Sequence, residues 1–129
     1  MLVFDASTLL SRTIKIGHST QTIIKSIAQT ITIPTMTVAE VKSGLAEDSL
    51  ELVDIRTDQE RDAINIGGVH FEADEFDDHI AYLTNERVKV LYCSSGKRSA
   101  EAVKLIKQMW PHANVFSLDG GLKAWFENV

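Results

Sequence analysis

The chain has 129 residues, 44% of them hydrophobic and 24% charged, and a net charge of −5 at pH 7. This suits one soluble globular domain with a core of its own, argues against nucleic acid as the main partner, and leaves no apolar run near the roughly 20 residues that cross a bilayer. A single cysteine excludes an intramolecular disulfide and a cysteine-rich zinc site; no metal or cofactor is expected, and with no secretory pattern at Met1 the expected location is cytoplasmic.

In chain order, residues 1–5 and 12–16 read as two short strands of a hairpin. Residues 17–35 are rich in Thr, Ser and Ile, lack a clear period and end at Pro34, so they read as a linker. The expected division is an N-terminal extension over 1–35 and a folded domain over 36–129. Thr37 and Glu40 form a capping box that opens a helix to about Leu45. Residues 50–56, LELVDIR, form a short buried strand; Thr57 and Glu60 form a second capping box on a short helix. Residues 67–71 give a brief strand after a tight turn. Residues 74–83 are predicted helical, with Phe76, Ile80 and Leu83 on one face and acids where they complement the helix dipole. Residues 88–93 read as a central strand. The spacing then predicts a helix over 98–109, with Ala102, Leu105, Ile106 and Met109 as its apolar stripe and Pro111 as its stop. Residues 114–118 form a strand, 119–121 a turn, and 122–128 a last helix in which Trp125 belongs to the core. Alternating strands and helices predict an α/β fold: a doubly wound sheet of about five mainly parallel strands.

Sites in such sheets lie at the carboxyl ends of the strands, and Cys93 stands at one. By itself a lone cysteine ending an apolar strand is usually inert core. The residues after it, Ser-Ser-Gly-Lys-Arg, change that balance. A strand-to-helix turn leaves free N–H groups at the helix start, able to point at one atom or small anion. Gly96 lets the backbone curl closely, the helix dipole favours negative charge by ~0.3–1 kcal/mol, and Lys97 and Arg98 add formal positive charge. All of this favours thiolate over thiol, whose free pKa is ~8.5. A nucleotide-binding phosphate loop does not fit, because Leu91 stands where its first glycine is needed and Arg98 follows Lys97.

The segment resembles the active-site loop of the rhodanese (sulfurtransferase) domain: a cysteine, four residues with glycine third after it, then Arg and Ser, matched by Cys93, Gly96, Arg98 and Ser99. "LVDIR" is similar to that family's Asp-x-Arg strand, "NIGG" to its His-Ile-Pro-Gly turn with Asn65 and Gly67 departing from His and Pro, and "LDGGLKAW" to its closing Gly-Gly-x-x-x-Trp. The resemblance spans residues 37–129. It implies that Cys93 carries sulfane sulfur as a persulfide, taken from thiosulfate or a protein persulfide. The terminal anion would be held by the loop Ser94, Ser95, Gly96, Lys97, Arg98 and Ser99. Related phosphatases have five residues in this loop, a wider ring; the four here, Ser94 to Lys97, suit a single sulfur atom better. Arg61 is expected to face the site and help bind an anionic donor. Asp54 and Arg56 are accessory candidates, expected mainly to bond each other or loop backbone. His70 and His79, with no partner suggested by the sequence, read as non-catalytic.

A second resemblance lies in residues 1–16. "LVFDA" followed by "RTIKI" is similar to the end of the adenylating domain in ThiF/MoeB/HesA-type enzymes, which activate ubiquitin-like sulfur carriers for molybdopterin or thiamine synthesis. There a zinc-binding cysteine pair follows; "GHSTQT" has none. This resemblance implies that the chain is the C-terminal rhodanese domain of a longer protein and that the acceptor is a small sulfur-carrier protein. No dinucleotide fingerprint is present, so ATP binding is not expected of this piece. The alternatives are a stand-alone thiosulfate sulfurtransferase and a non-catalytic module that keeps the fold.

Overall fold

The structure, a computed structural model, describes residues 32–127. From Ile33 onward these belong to one unit. The hairpin and most of the linker expected before it lie outside the described residues. Five strands form one sheet: β1 (Thr35–Met36), β2 (Leu50–Asp54), β3 (Val69–His70), β4 (Val88–Tyr92) and β5 (Val115–Leu118), in the order β1-β5-β4-β2-β3. Every pairing is parallel, with Leu52 beside Val90 and Leu91 beside Ser117. The helices are α1 (Val38–Ala46), α2 (Asp58–Ala63), α3 (Ile80–Leu83), α4 (Lys97–Met109) and α5 (Gly121–Glu127). This is the expected doubly wound α/β arrangement. No helix among the described residues is long and apolar enough to cross a membrane.

Both faces of the sheet are covered, and side-chain alternation along the strands divides the core in two. Leu91 and Cys93 share one face with Val53, Ile55, Val115 and, from the helices, Leu83, Val103 and Ile106. Val90 and Tyr92 share the other with Leu50, Leu52, Leu118, Val38, Val41 and Leu122. Each fully buried aliphatic contributes ~1.5–3 kcal/mol. Both capping boxes form: Thr37 and Thr57 accept from the amides of Glu40 and Glu60 at 3.1 and 3.2 Å, and each glutamate accepts from its threonine's own amide. Trp125 is half-buried against the second cluster, with the Lys42 ammonium 5.0 Å from its ring centre.

Three elements differ from the sequence reading. Thr35 and Met36, read as the seam between linker and domain, form the edge strand; Pro34 and Met36 carbonyls accept from Ser117 and Asp119. Residues 74–83 are not one α-helix but a 3₁₀ segment, Ala73–His79, leading into the single turn of α3. Three residues per turn bring Phe76 and His79 to one side, where Phe76 meets Phe71 edge-on at 5.7 Å and the His79 ring stacks on it at 4.1 Å. Along α4 the buried face is Ser99, Ala102, Val103 and Ile106, while Leu105 and Met109 are about half exposed. The true stripe is thus turned by part of a turn, because Ser99 packs inward beneath Cys93.

Candidate active site

The chain leaves β4 at Tyr92, and Cys93 to Gly96 form the bend into α4. Gly96 is the N-cap, at φ 90° and ψ −8°, a left-handed conformation that suits glycine. That bend turns the backbone onto the cysteine. The amide of Gly96 donates to Cys93 Sγ at 3.1 Å, the amide of Ser99 at 3.3 Å, and Ser99 Oγ lies 3.5 Å from the sulfur. Burial pushes the Cys93 thiol up, but hydrogen bonds from the Ser99 hydroxyl and the amides of Ser99, Gly96 and Ser95 outweigh it and hold the thiol below its ordinary value. Cys93 itself has no exposed surface and belongs to the first core cluster, whereas Ser94, Ser95 and Lys97 are exposed. The sulfur therefore lies at the floor of the loop, with apolar packing behind it and amides in front.

The start of α5 braces the loop from the other side. Leu122 and Lys123 amides donate to the Cys93 and Ser94 carbonyls at 2.9 and 3.0 Å. Arg98 points to α2, donating to both carboxylate oxygens of Glu60 at 2.9 and 2.8 Å. That pair draws Glu60 down to about 2, with the Thr57 amide adding to the effect. Lys97 has no ion pair among the described residues; with Arg98, Phe76 and Leu105 it lines an open groove of about 810 Å³ along α4.

Asp54 and Arg56 are buried and bonded to each other, with Arg56 Nε and Nη2 donating to the two carboxylate oxygens at 2.9 Å. Arg56 also donates to the carbonyls of Glu60 and Ile64, tying the end of β2 to the middle and the C-cap of α2. Arg61 reaches Asp54 at 3.4 Å and the Gly68 carbonyl at 2.9 Å; among the described residues it makes no hydrogen bond to the Cys93 loop. In the NIGG turn, Gly67 sits at φ 92°, which proline cannot adopt. Its carbonyl accepts from the buried Tyr92 hydroxyl at 2.9 Å, and its amide donates to Asn65 Oδ1. His70, for which the sequence suggested no partner, has two: the Arg56 carbonyl at 2.7 Å from Nε2 and Asp58 at 3.6 Å from Nδ1. No group of three or more His, Cys, Asp or Glu among the described residues is placed to hold a metal ion.

Sequence reasoning did not find Glu60, Gly121 or Ser117 as parts of this site. Glu60 was visible only as a cap and Gly121 only within the closing motif, while Ser117 Oγ, on β5, lies 2.7 Å from Ser99 Oγ.

The rhodanese-like domain family model matches residues 37–128. The chain belongs to the rhodanese-like domain family. The enzyme class that accompanies this membership is the rhodanese-type sulfurtransferase. The whole chain is 29% identical, over 148 aligned residues, to the "Probable adenylyltransferase/sulfurtransferase MoeZ" of Mycobacterium tuberculosis, of which it spans 38% of the length. Among solved structures, a rhodanese-like domain protein from Staphylococcus aureus is 26% identical, with a TM-score of 0.63 over 71% of this chain and 90% of that one. The human single-domain sulfurtransferase TSTD1 shares the fold at 24% identity and the same TM-score, covering 76% of this chain and 99% of its own.

Proposed function

We propose that Cys93 is the sulfur-carrying nucleophile and that this chain passes sulfane sulfur through it. The observation that carries the reading is the pair of amides, Gly96 in the four-residue loop and Ser99 at the start of α4, aimed at one sulfur. The thiolate attacks the outer sulfur of thiosulfate; the sulfur–sulfur bond breaks, sulfite leaves with the electron pair, and Cys–S–S⁻ remains. An acceptor nucleophile then attacks the terminal sulfur, and the Cys93 thiolate departs. With one cysteine in this sequence, none of its own thiols resolves the persulfide. The likeness to a protein named for both adenylyltransferase and sulfurtransferase activity supports a protein persulfide as donor. It equally supports the adenylated C-terminus of a ubiquitin-like sulfur carrier, in the cytoplasmic synthesis of molybdopterin or thiamine, as acceptor. There the roles reverse: the terminal persulfide sulfur attacks the acyl carbon as AMP leaves, and external thiols then reduce the acyl disulfide to free the thiocarboxylate and the Cys93 thiol. Thiosulfate transfer without such a carrier is the simpler form of the same chemistry.

The complete burial of Cys93 favours a second reading, an interaction module that keeps the fold without the reaction. Mass spectrometry after incubation with thiosulfate, or with a protein persulfide, separates the two. Transfer gives an adduct of about 32 Da, one sulfur on persulfide chemistry, that is lost in Cys93→Ser. Absence of any adduct from either donor leaves the module.

A further inference from the structure

Cys93 is the near end of a line of buried hydroxyls. Ser99 Oγ lies 3.5 Å from its sulfur, and Ser117 Oγ, on β5, lies 2.7 Å beyond that. Both serines are buried, at 0% and 1% exposure. Ser117 faces the same side of the sheet as Val115 and Cys93, where an aliphatic side chain would pack without cost, and a buried hydroxyl is tolerated only if bonded. Among the described residues the partner of the Ser117 hydroxyl is Ser99.

The proton inventory gives this pair a direction. Ser99 has one hydroxyl proton and three acceptors in reach: the Gly96 carbonyl at 3.2 Å, Ser117, and the sulfur. While Cys93 is a thiol, its S–H can donate to Ser99, and the Ser99 proton goes to Gly96 or Ser117. A thiolate only accepts. It is then best served when Ser117 donates to Ser99 and Ser99 donates to the sulfur. Hydrogen bonds to an ionised acceptor are roughly twice as strong as neutral ones, and bonds in a chain polarise one another. The far hydroxyl is therefore worth more to the thiolate than to the thiol.

We infer that Ser117 is a positioning residue for the Cys93 thiolate, holding the Ser99 hydroxyl turned toward the sulfur. This deepens the proposed function and rests on Cys93 being the reacting thiol. Charged groups on the surrounding elements include Lys89 on β4, Lys97 and Arg98 on α4, Glu60 on α2, Asp54 on β2 with Arg56 just beyond it, and Asp119 and Lys123 around the start of α5. Among the described residues none of their side chains bonds Ser117, so they form a background common to the variants below.

The test is a pH titration of the thiolate by its ultraviolet absorbance in the full chain, read against Cys93→Ser; with one cysteine, the signal belongs to Cys93. Ser117→Ala, and Ser117→Val as a volume-filling second variant, are expected to cut the thiolate fraction below the midpoint about three- to tenfold, the worth of one hydrogen bond. Ser117→Thr, which keeps the hydroxyl, restores it. Ser99→Ala shifts the titration at least as far, and adding Ser117→Ala to it shifts it little more, because the outer residue acts through the inner one. Unchanged titrations in Ser117→Ala and Ser117→Val, or full additivity with Ser99→Ala, overturn the inference, whatever happens to the urea midpoint. The sulfur adduct is read separately: a shifted titration with no adduct counts against the proposed function alone, and an intact adduct with no shift counts against Ser117 alone.

Discussion

Gly121 is glycine for want of room. A Cβ on it would stand 2.5 Å from the Cys93 carbonyl oxygen, 2.6 Å from the Gly96 amide nitrogen and 2.7 Å from the Ser94 carbonyl oxygen. All three are backbone atoms, so no side chain can swing aside, and one is the amide that donates to the sulfur. Gly121→Ala must therefore push the loop away from Cys93. The expected result is a folded protein, less stable by ~1–3 kcal/mol as for other overpacked sites, with sulfur transfer reduced roughly ten- to hundredfold, as displacements near 1 Å can do. Gly67 provides the comparison. It also has positive φ, but a Cβ there meets nothing within 4 Å. Gly67→Ala should lose roughly 1–2 kcal/mol to left-handed strain and keep its transfer rate. Urea denaturation and a thiosulfate assay on the two variants separate strain from steric displacement of the loop.

At the scale of the element, α2 is the least self-sufficient piece near the site. It has six residues and none of them is buried, so propensity alone does not sustain it. It is held by its capping box, by Arg56 at its carbonyls, and by Arg98 from the start of α4. Glu60 takes part in all three, through its carboxylate in the first and last and its carbonyl in the second. Glu60→Gln can still cap, because glutamine suits that position of the box, but it loses the charge facing Arg98. Both partners are substantially solvated, so the expected cost is at most about 1 kcal/mol. A double-mutant cycle with Arg98→Gln, which removes the partner charge, should return a coupling of that order, read from urea midpoints. A coupling near zero would mean that α2 is held by Arg56 and its cap alone.

The same helix shows why part of this protein was legible in the sequence and part was not. The two members of each capping box lie three residues apart, and the Cys93 loop is consecutive, so local spacing exposes both. The second partner of Glu60 is 38 residues away, and that of Ser99 is 18 away; no local pattern carries such information. A two-residue strand such as β1 has too little length to alternate. The 3₁₀ winding of Ala73–His79 answers to Phe71, outside the segment, rather than to any period within it.

For the molecule as a whole, these pairings make stability depend on acid. Among the described residues, four carboxylates are held below their ordinary values. In Glu40 the cause is the Thr37 amide, in Glu51 the Tyr82 hydroxyl, and in Glu60, lowered to about 2, it is Arg98. Burial pushes Asp54 up, yet its hydrogen bonds from Arg56 prevail. Each group binds its proton more weakly folded than unfolded, so the unfolded chain takes up more protons in acid. The stability they supply is complete above the unfolded values of ~3.9–4.3 and is lost as pH falls through the folded ones. The urea midpoint should be level from pH 7 to about 5.5 and fall steadily below about 4.5. Asp54→Asn should differ most at pH 7, by ~3–5 kcal/mol, because it strands Arg56 in the interior without its counter-charge. Glu60→Gln should start slightly below the parent at pH 7 and converge with it as pH approaches about 2, where the parent's own Glu60 gains its proton. A parent midpoint unchanged between pH 6 and pH 3 would show that these ion pairs do not link β2, α2 and α4 into one cooperative unit.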